Sequence, residues 1–131
     1  MPGLHHVEIW VADTADGLED WRWLLAVLGW SRTATWPEGE TWSADGVYLT
    51  FTGSPNLRDE AHDRRRPGLN HLAFLGGARG DVDRIMTDAT SHGWTPLYHD
   101  RYPYAGGPDH YAGWLENANG FKAEVVAAAK G

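Results

Sequence analysis

Two stretches of this chain alternate apolar and polar residues in the same way, and the elements between them repeat. Leu4–Val11 predicts a strand with Val7, Ile9 and Val11 on one face, set to pack on a helix, and His6, Glu8 and Trp10 on the other. Leu69–Leu75 predicts a second, with Leu72 and Phe74 opposite His71, Ala73 and Leu75. After the first strand, Asp13-Thr14 is a helix-start signal. Leu18, Trp21, Leu25 and Leu28 follow at helical spacing, and Gly29 closes the helix. Strands are predicted at Ser31–Trp36, Glu40–Ala44 and Val47–Thr52, the last two joined by the hairpin dipeptide Asp45-Gly46. Val47, Leu49 and Phe51 face one way there, and Tyr48, Thr50 and Thr52 the other.

Ser54–Gly68 has no apolar period and carries Asp59, Glu60, Asp63 and Arg64–Arg66, so it reads as a connector with solvated charges. The pattern then restarts. Strand Leu69–Leu75 precedes a helical stripe at Val82, Ile85, Met86 and Ala89, closed by Gly93. A short strand at Pro96–His99, a Tyr/Pro/Gly-rich loop at Arg101–Asp109 and a strand at Tyr111–Glu116 come next. The turn Asn117–Gly120 leads into a final strand, Phe121–Ala127. Each half thus reads strand, helix, strand, strand, strand, an internal repeat. It divides residues 1–53 and 69–131 into two modules joined by 54–68. Neither half is large enough to bury its own sheet face, so the halves are expected to pack together or exchange with a second chain, and a homodimer is expected.

Composition narrows the function classes. The 131 residues include no cysteine, which excludes disulfides and thiolate metal sites. A net charge of −7 argues against a phosphate-backbone grip on nucleic acid. No apolar run is long enough to span a bilayer and no secretion signal is recognisable, so the expectation is a cytoplasmic protein with no membrane partner. Eight tryptophans are many for this length, enough to line a cleft for a flat organic molecule as well as to fill a core.

The candidate chemistry comes from matching the two halves. His6 and His71 occupy equivalent places. Aligning the hairpins through Gly46 and Gly120 sets Thr50 against Glu124, and Lys122, Glu124 and Val126 share a face of the last strand. One inner face is therefore expected to carry His6, His71 and Glu124. Two imidazoles and a carboxylate suit a divalent Fe, Mn, Ni, Co or Zn ion and leave positions open for water or substrate. His5 is the rival of His6, but strand alternation sends its side chain to the other face.

With these residues in place the chain resembles the vicinal oxygen chelate superfamily, which includes glyoxalase I, extradiol dioxygenases and the fosfomycin- and bleomycin-resistance proteins. The resemblance rests on the doubled element order and on three segments: Leu4–Asp13, Pro67–Phe74 and Asn119–Val126. Tyr102–Tyr104 followed by His110-Tyr111 looks like a bacterial glyoxalase-like subgroup. The resemblance implies an α+β fold of two βαβββ modules packed into a cleft-forming, barrel-like mixed sheet. It places the family's metal ligands on His6, His71 and Glu124. A fourth ligand used by glyoxalase I falls on Thr50, which disfavours that activity. It further implies a small substrate whose neighbouring oxygens chelate the metal, a Lewis acid for lyase, isomerase or ring-cleaving dioxygenase chemistry. Glu8 and Glu124 are then the candidate catalytic carboxylates, Glu8 as a general base. Trp10, Tyr48 and Thr50 would line the cleft. Arg101, Tyr102, Tyr104, His110 and Tyr111 would close over it from the loop. The alternative is a metal-free binder that sequesters an aromatic drug, as bleomycin-resistance proteins do.

Overall fold

The computed structural model describes residues 2–14, 17–58 and 61–129. Asp59 and Glu60 of the expected connector lie outside the described residues. The chain divides into two compact units, Met1–Ala61 and His62–Gly131. Each holds a four-stranded mixed sheet and an α-helix, the α+β two-module arrangement expected. Each sheet is open, with an edge strand at either side, so neither closes into a barrel.

Unit 1 runs β1 (His6–Trp10), α1 (Glu19–Val27), β2 (Ser31–Trp36), β3 (Gly39–Ala44) and β4 (Val47–Thr52), with sheet order β1-β4-β3-β2. β1 and β4 are parallel, the rest antiparallel. Asp45 and Gly46 both have positive φ, 45° and 85°, the left-handed pair that a tight hairpin requires. The parallel pairing sets His6 beside Tyr48 and Glu8 beside Thr50, so these side chains share one face. Ile9, Val11, Leu49 and Phe51 lie on the opposite face and are buried, as are Leu18, Trp21, Leu24 and Leu25 of and beside α1. The Trp21 and Phe51 rings meet at 5.3 Å.

The helix starts at Glu19, not at Asp13-Thr14. The Thr14 carbonyl accepts a hydrogen bond from Arg22 Nη2 at 3.1 Å. A side chain at Gly17 would strike the Asp13 backbone. The segment folds back on the helix rather than entering it.

Unit 2 runs β5 (Leu72–Leu75), α2 (Arg79–Asp88) extended by a 3-10 turn Ala89–His92, β6 (Trp94–Leu97), β7 (Ala112–Asn117) and β8 (Lys122–Val126), with sheet order β5-β8-β7-β6. Val82 and Ile85 of α2 are buried, as are Phe74, Leu115, Ala123 and Val125. A Cβ on Gly113 would collide with Met86, so glycine lets the helix sit tight against β7. Pro96 is tolerated because β6 is an edge strand, which runs Trp94–Leu97 instead of Pro96–His99.

β5 begins after His71, three residues later than Leu69. The chain before it is held by side chains instead of a ladder. His62 Nε2 lies 2.9 Å from the Leu69 carbonyl oxygen, and Asn70 Nδ2 donates to the Arg64 carbonyl at 3.1 Å. The later part of the expected connector is thereby tied to unit 2. The His62 ring stacks on Phe121 at 4.6 Å, and the His62 N–H donates to the Asn119 carbonyl at 2.8 Å. Arg64 pairs with Glu116 at 2.8 Å.

Candidate metal and ligand site

In unit 2 the ladder sets Glu124 beside Ala73 on one side and Trp114 on the other. His71, two residues before Ala73, comes to the same face. Glu124 is 5% exposed. Its two oxygens serve two imidazoles: Oε1 lies 3.0 Å from His71 Nε2, and Oε2 takes a hydrogen bond from His110 Nε2. The strand thus brings together His71 and Glu124, and the loop adds His110, which the sequence had placed only as a residue closing a cleft.

Asn70 determines what His71 can do. Its amide nitrogen is committed to the Arg64 carbonyl, so its Oδ1, 2.7 Å from His71 Nδ1, is an acceptor and Nδ1 carries the hydrogen. In a neutral imidazole Nε2 then holds the lone pair, aimed at a carboxylate oxygen. Two acceptors in contact repel, unless Nε2 is also protonated or a cation takes both. This is the arrangement of a metal-ligating histidine, whose second nitrogen is held by an outer partner. Two ligands about 2.1 Å from one ion stand about 3 Å apart at right angles and about 3.4 Å at the tetrahedral angle, so the His71–Glu124 spacing of 3.0 Å is compatible with one ion as well as with a direct hydrogen bond. These two donors therefore fit one divalent ion. Among the described residues, no group of three or more His, Cys, Asp or Glu side chains has the arrangement of a metal cluster.

In unit 1, the His6 ring stacks on Tyr48 at 4.8 Å and 6°. His5, expected on the opposite face, instead has its Nδ1 2.9 Å from His6 Nδ1 and its ring 5.2 Å from Tyr48. It precedes β1, where strand alternation no longer applies. Trp10 Nε1 donates to Glu8 at 2.7 Å, both exposed. Thr50 is buried and shares a hydroxyl hydrogen bond with Thr41 at 3.0 Å.

The loop leading into β7 is anchored on α2 as well. The Tyr102 and Tyr111 hydroxyls both donate to Asp83 Oδ1 on α2, the latter at 2.5 Å. Hydrogen bonds from Tyr102 and then Tyr111 hold the Asp83 carboxyl below its usual range. Burial, then Asp83, pushes the Tyr102 phenol up, and the bond to Asp83 does the same to Tyr111. Tyr104 rests edge-on against Tyr111 at 5.7 Å, and the Arg101 guanidinium lies 5.1 Å over the Tyr98 ring. A cavity of about 480 Å³ opens beside this clamp, lined by Met86, Pro96 and His99 among others. Neither Asn70 nor Tyr98 drew attention in the sequence. Asn70 stood next to a candidate ligand, and that adjacency is the signal that marks it.

Known proteins resemble the chain over almost its full length. Residues 5–114 match the family model of the glyoxalase/bleomycin resistance protein/dioxygenase superfamily. The uncharacterized protein YqjT of Bacillus subtilis (strain 168) is 39% identical over 126 residues, covering 95% of this chain and 98% of that protein. A candidate glyoxalase from Bacillus halodurans has a crystal structure that superposes with a TM-score of 0.88 at 39% identity, over 95% of both chains. A glyoxalase/bleomycin resistance protein from Albidiferax ferrireducens T118 shares the fold, with a TM-score of 0.75 at 19% identity over 95% of this chain and 98% of that one. A doubled βαβββ order, the histidine-bearing starts of both halves and this breadth of likeness lead to one conclusion: the chain belongs to the glyoxalase/bleomycin resistance protein/dioxygenase superfamily.

Proposed function

We propose that this protein is a divalent-metal-dependent enzyme acting on a small substrate with vicinal oxygens, as a lyase, an isomerase or a ring-cleaving dioxygenase. The observation that supports it is the buried Glu124 carboxylate 3.0 Å from His71 Nε2, with the other ring nitrogen of His71 held by Asn70. In this reading His71 and Glu124 hold the ion. The likeness of Leu4–Asp13 to the family motif makes His6 the further candidate ligand. Fe, Mn, Ni, Co and Zn all accept such donors. When bound, the ion polarises the substrate oxygens as a Lewis acid. His110 holds a proton at Nε2 against Glu124 Oε2 and supplies a proton-transfer group at the ligand. Glu8, fixed by the Trp10 indole, serves as the general base, and Trp10, Tyr48, Thr50, Arg101 and Tyr104 as substrate-contacting residues. The same reading includes a cytoplasmic homodimer; no helix among the described residues is long and apolar enough to cross a membrane.

Elemental analysis of protein purified without chelator tests this. The expected result is one divalent ion per chain, lost in His71→Ala. The second reading, a metal-free binder of aromatic drugs, is favoured by the exposed Trp10, 42% accessible. It requires no stoichiometric metal and strong quenching of tryptophan fluorescence by an aromatic drug, and that pair of results would overturn the metal enzyme. Asn70→Ala gives a finer check. Losing the outer partner of His71 is expected to weaken metal binding about 10- to 100-fold, measured by competition with a chromophoric chelator, with the fold unchanged.

A further inference from the structure

Lys122 is an anomaly. It is 8% exposed, yet its described partners are all on one aromatic residue: Nζ donates to the Tyr98 hydroxyl at 2.9 Å and lies 4.9 Å from the centre of that ring. Among the described residues it makes no ion pair. Its ladder partner is Glu116, whose carboxylate is turned to Arg64 Nε at 2.8 Å. A buried ammonium without a counter-charge is costly, and native structures keep such groups paired. Arg101, whose guanidinium lies 5.1 Å from the centre of the Tyr98 ring, also makes no ion pair among the described residues. With Arg64, which pairs with Glu116 and also reaches the Tyr98 hydroxyl, three positive charges converge on one phenol and one carboxylate, in a chain whose net charge is −7.

The backbone adds to the anomaly. Tyr98 has φ 56°, a left-handed conformation that a large side chain adopts only at a cost. Strain of this kind is kept where the surroundings require it, commonly at functional sites. It turns the ring onto Trp114, at 5.8 Å, and the hydroxyl onto Lys122. Lys122 sits two residues from Glu124 on the same face of β8, about 7 Å along the strand.

We propose that Lys122, Arg101 and the Tyr98 hydroxyl form an anion subsite that takes a carboxylate group of the ligand next to Glu124. It rests on the metal-enzyme reading for the ligand's other end, and it restricts the substrate class to acids. The ligand's carboxylate supplies the counter-charge that Lys122 lacks. The Tyr98 hydroxyl, accepting from Lys122, is left to donate its own hydrogen to the incoming oxygen.

The test uses metal-free protein, so that it does not depend on the ion. Calorimetric titration with malonate at low ionic strength is expected to show saturable binding, and its neutral counterpart malonamide none. Lys122→Met abolishes the malonate signal. Arg101→Gln weakens it about 10-fold, the scale of one charge-assisted hydrogen bond. His71→Ala leaves it in place while losing the metal, so failure of this subsite and failure of the metal site are separable. Should Lys122→Met not fold, Arg101→Gln, at an exposed loop position, decides alone. The proposal is overturned if the wild type does not bind malonate, or if the variants bind it undiminished. It is equally overturned if near-ultraviolet absorbance shows a phenolate at neutral pH that Tyr98→Phe removes, because the site then carries its own anion.

Discussion

If the proposed metal site holds, a protein with Glu124 replaced by glutamine is expected to purify without a divalent ion and to bind one more than about 100-fold less tightly, since loss of a ligand exceeds the 10- to 100-fold cost of losing an outer partner. Glutamine keeps the volume and planar end of Glu124, so the sheet should persist. It removes the charge, and it places an amide N–H₂ where one carboxylate oxygen stood. That amide can donate to His71 Nε2, satisfying the lone pair that Asn70 leaves there. The variant is thus self-satisfied at a contact that in the wild type takes a second proton on Nε2 or, in the proposed reading, a cation. Far-ultraviolet circular dichroism should be unchanged while the metal content falls. Retention of a full complement of metal by Glu124→Gln would show that the ion, if any, lies elsewhere.

The largest effect on stability is expected in unit 1, at Glu40. Its side chain is 3% exposed on the helix-facing side of β3. Arg22 from α1 donates to it through Nε at 3.1 Å to each oxygen and through Nη2 at 2.7 Å, and Trp42 Nε1 adds a bond of 2.7 Å. Burial opposes ionisation, but the hydrogen bonds from Arg22 and Trp42 outweigh it and hold the carboxyl below its ordinary value of 4.5. Glu40→Ala removes the buried partner of the guanidinium, which keeps the exposed Glu19 at 2.8 Å and the Thr14 carbonyl, so the loss is about 3 kcal/mol, the lower end for buried pairs. The pH dependence has a definite sign. A depressed carboxyl contributes stability that is present above the unfolded-state value and is lost as pH falls through the folded-state value. Urea denaturation should therefore separate wild type from Glu40→Ala near neutrality, and the two should converge in acid well below 4.5. A gap that stays constant with pH would mean that the side chain acts by packing alone.

Much of the fold was legible because its signals are local. Asp45-Gly46 demanded a left-handed pair and has one. The period-two alternation of β1, β4 and β8 assigned the faces directly, including Lys122 on that of Glu124. What was missed depends on partners distant in sequence. Asp13-Thr14 carried a helix-start signal, but Arg22 captures the Thr14 carbonyl and α1 begins later. The connector looked solvated, yet His62 and Arg64 dock on the β7–β8 hairpin. Glu40 read as an ordinary strand residue because its partner lies eighteen positions earlier on the helix. Tyr98 could not be singled out, since nothing in its neighbours announces a left-handed backbone. The role of Lys122 depends on that conformation.

The pairings of the two sheets carry one more lesson, about how such a protein changes over generations. Ala73, Glu124 and Trp114 in the second half correspond to Glu8, Thr50 and Thr41 in the first. One copy keeps its acid on an interior strand and the other on the neighbouring edge, a displacement of about 4.8 Å. The main-chain lattice is indifferent to which residue it displays, so a duplicated ancestor can relocate a charge by exchanging two side chains without rebuilding its scaffold. Divergence of chemistry at constant architecture then needs few genetic steps.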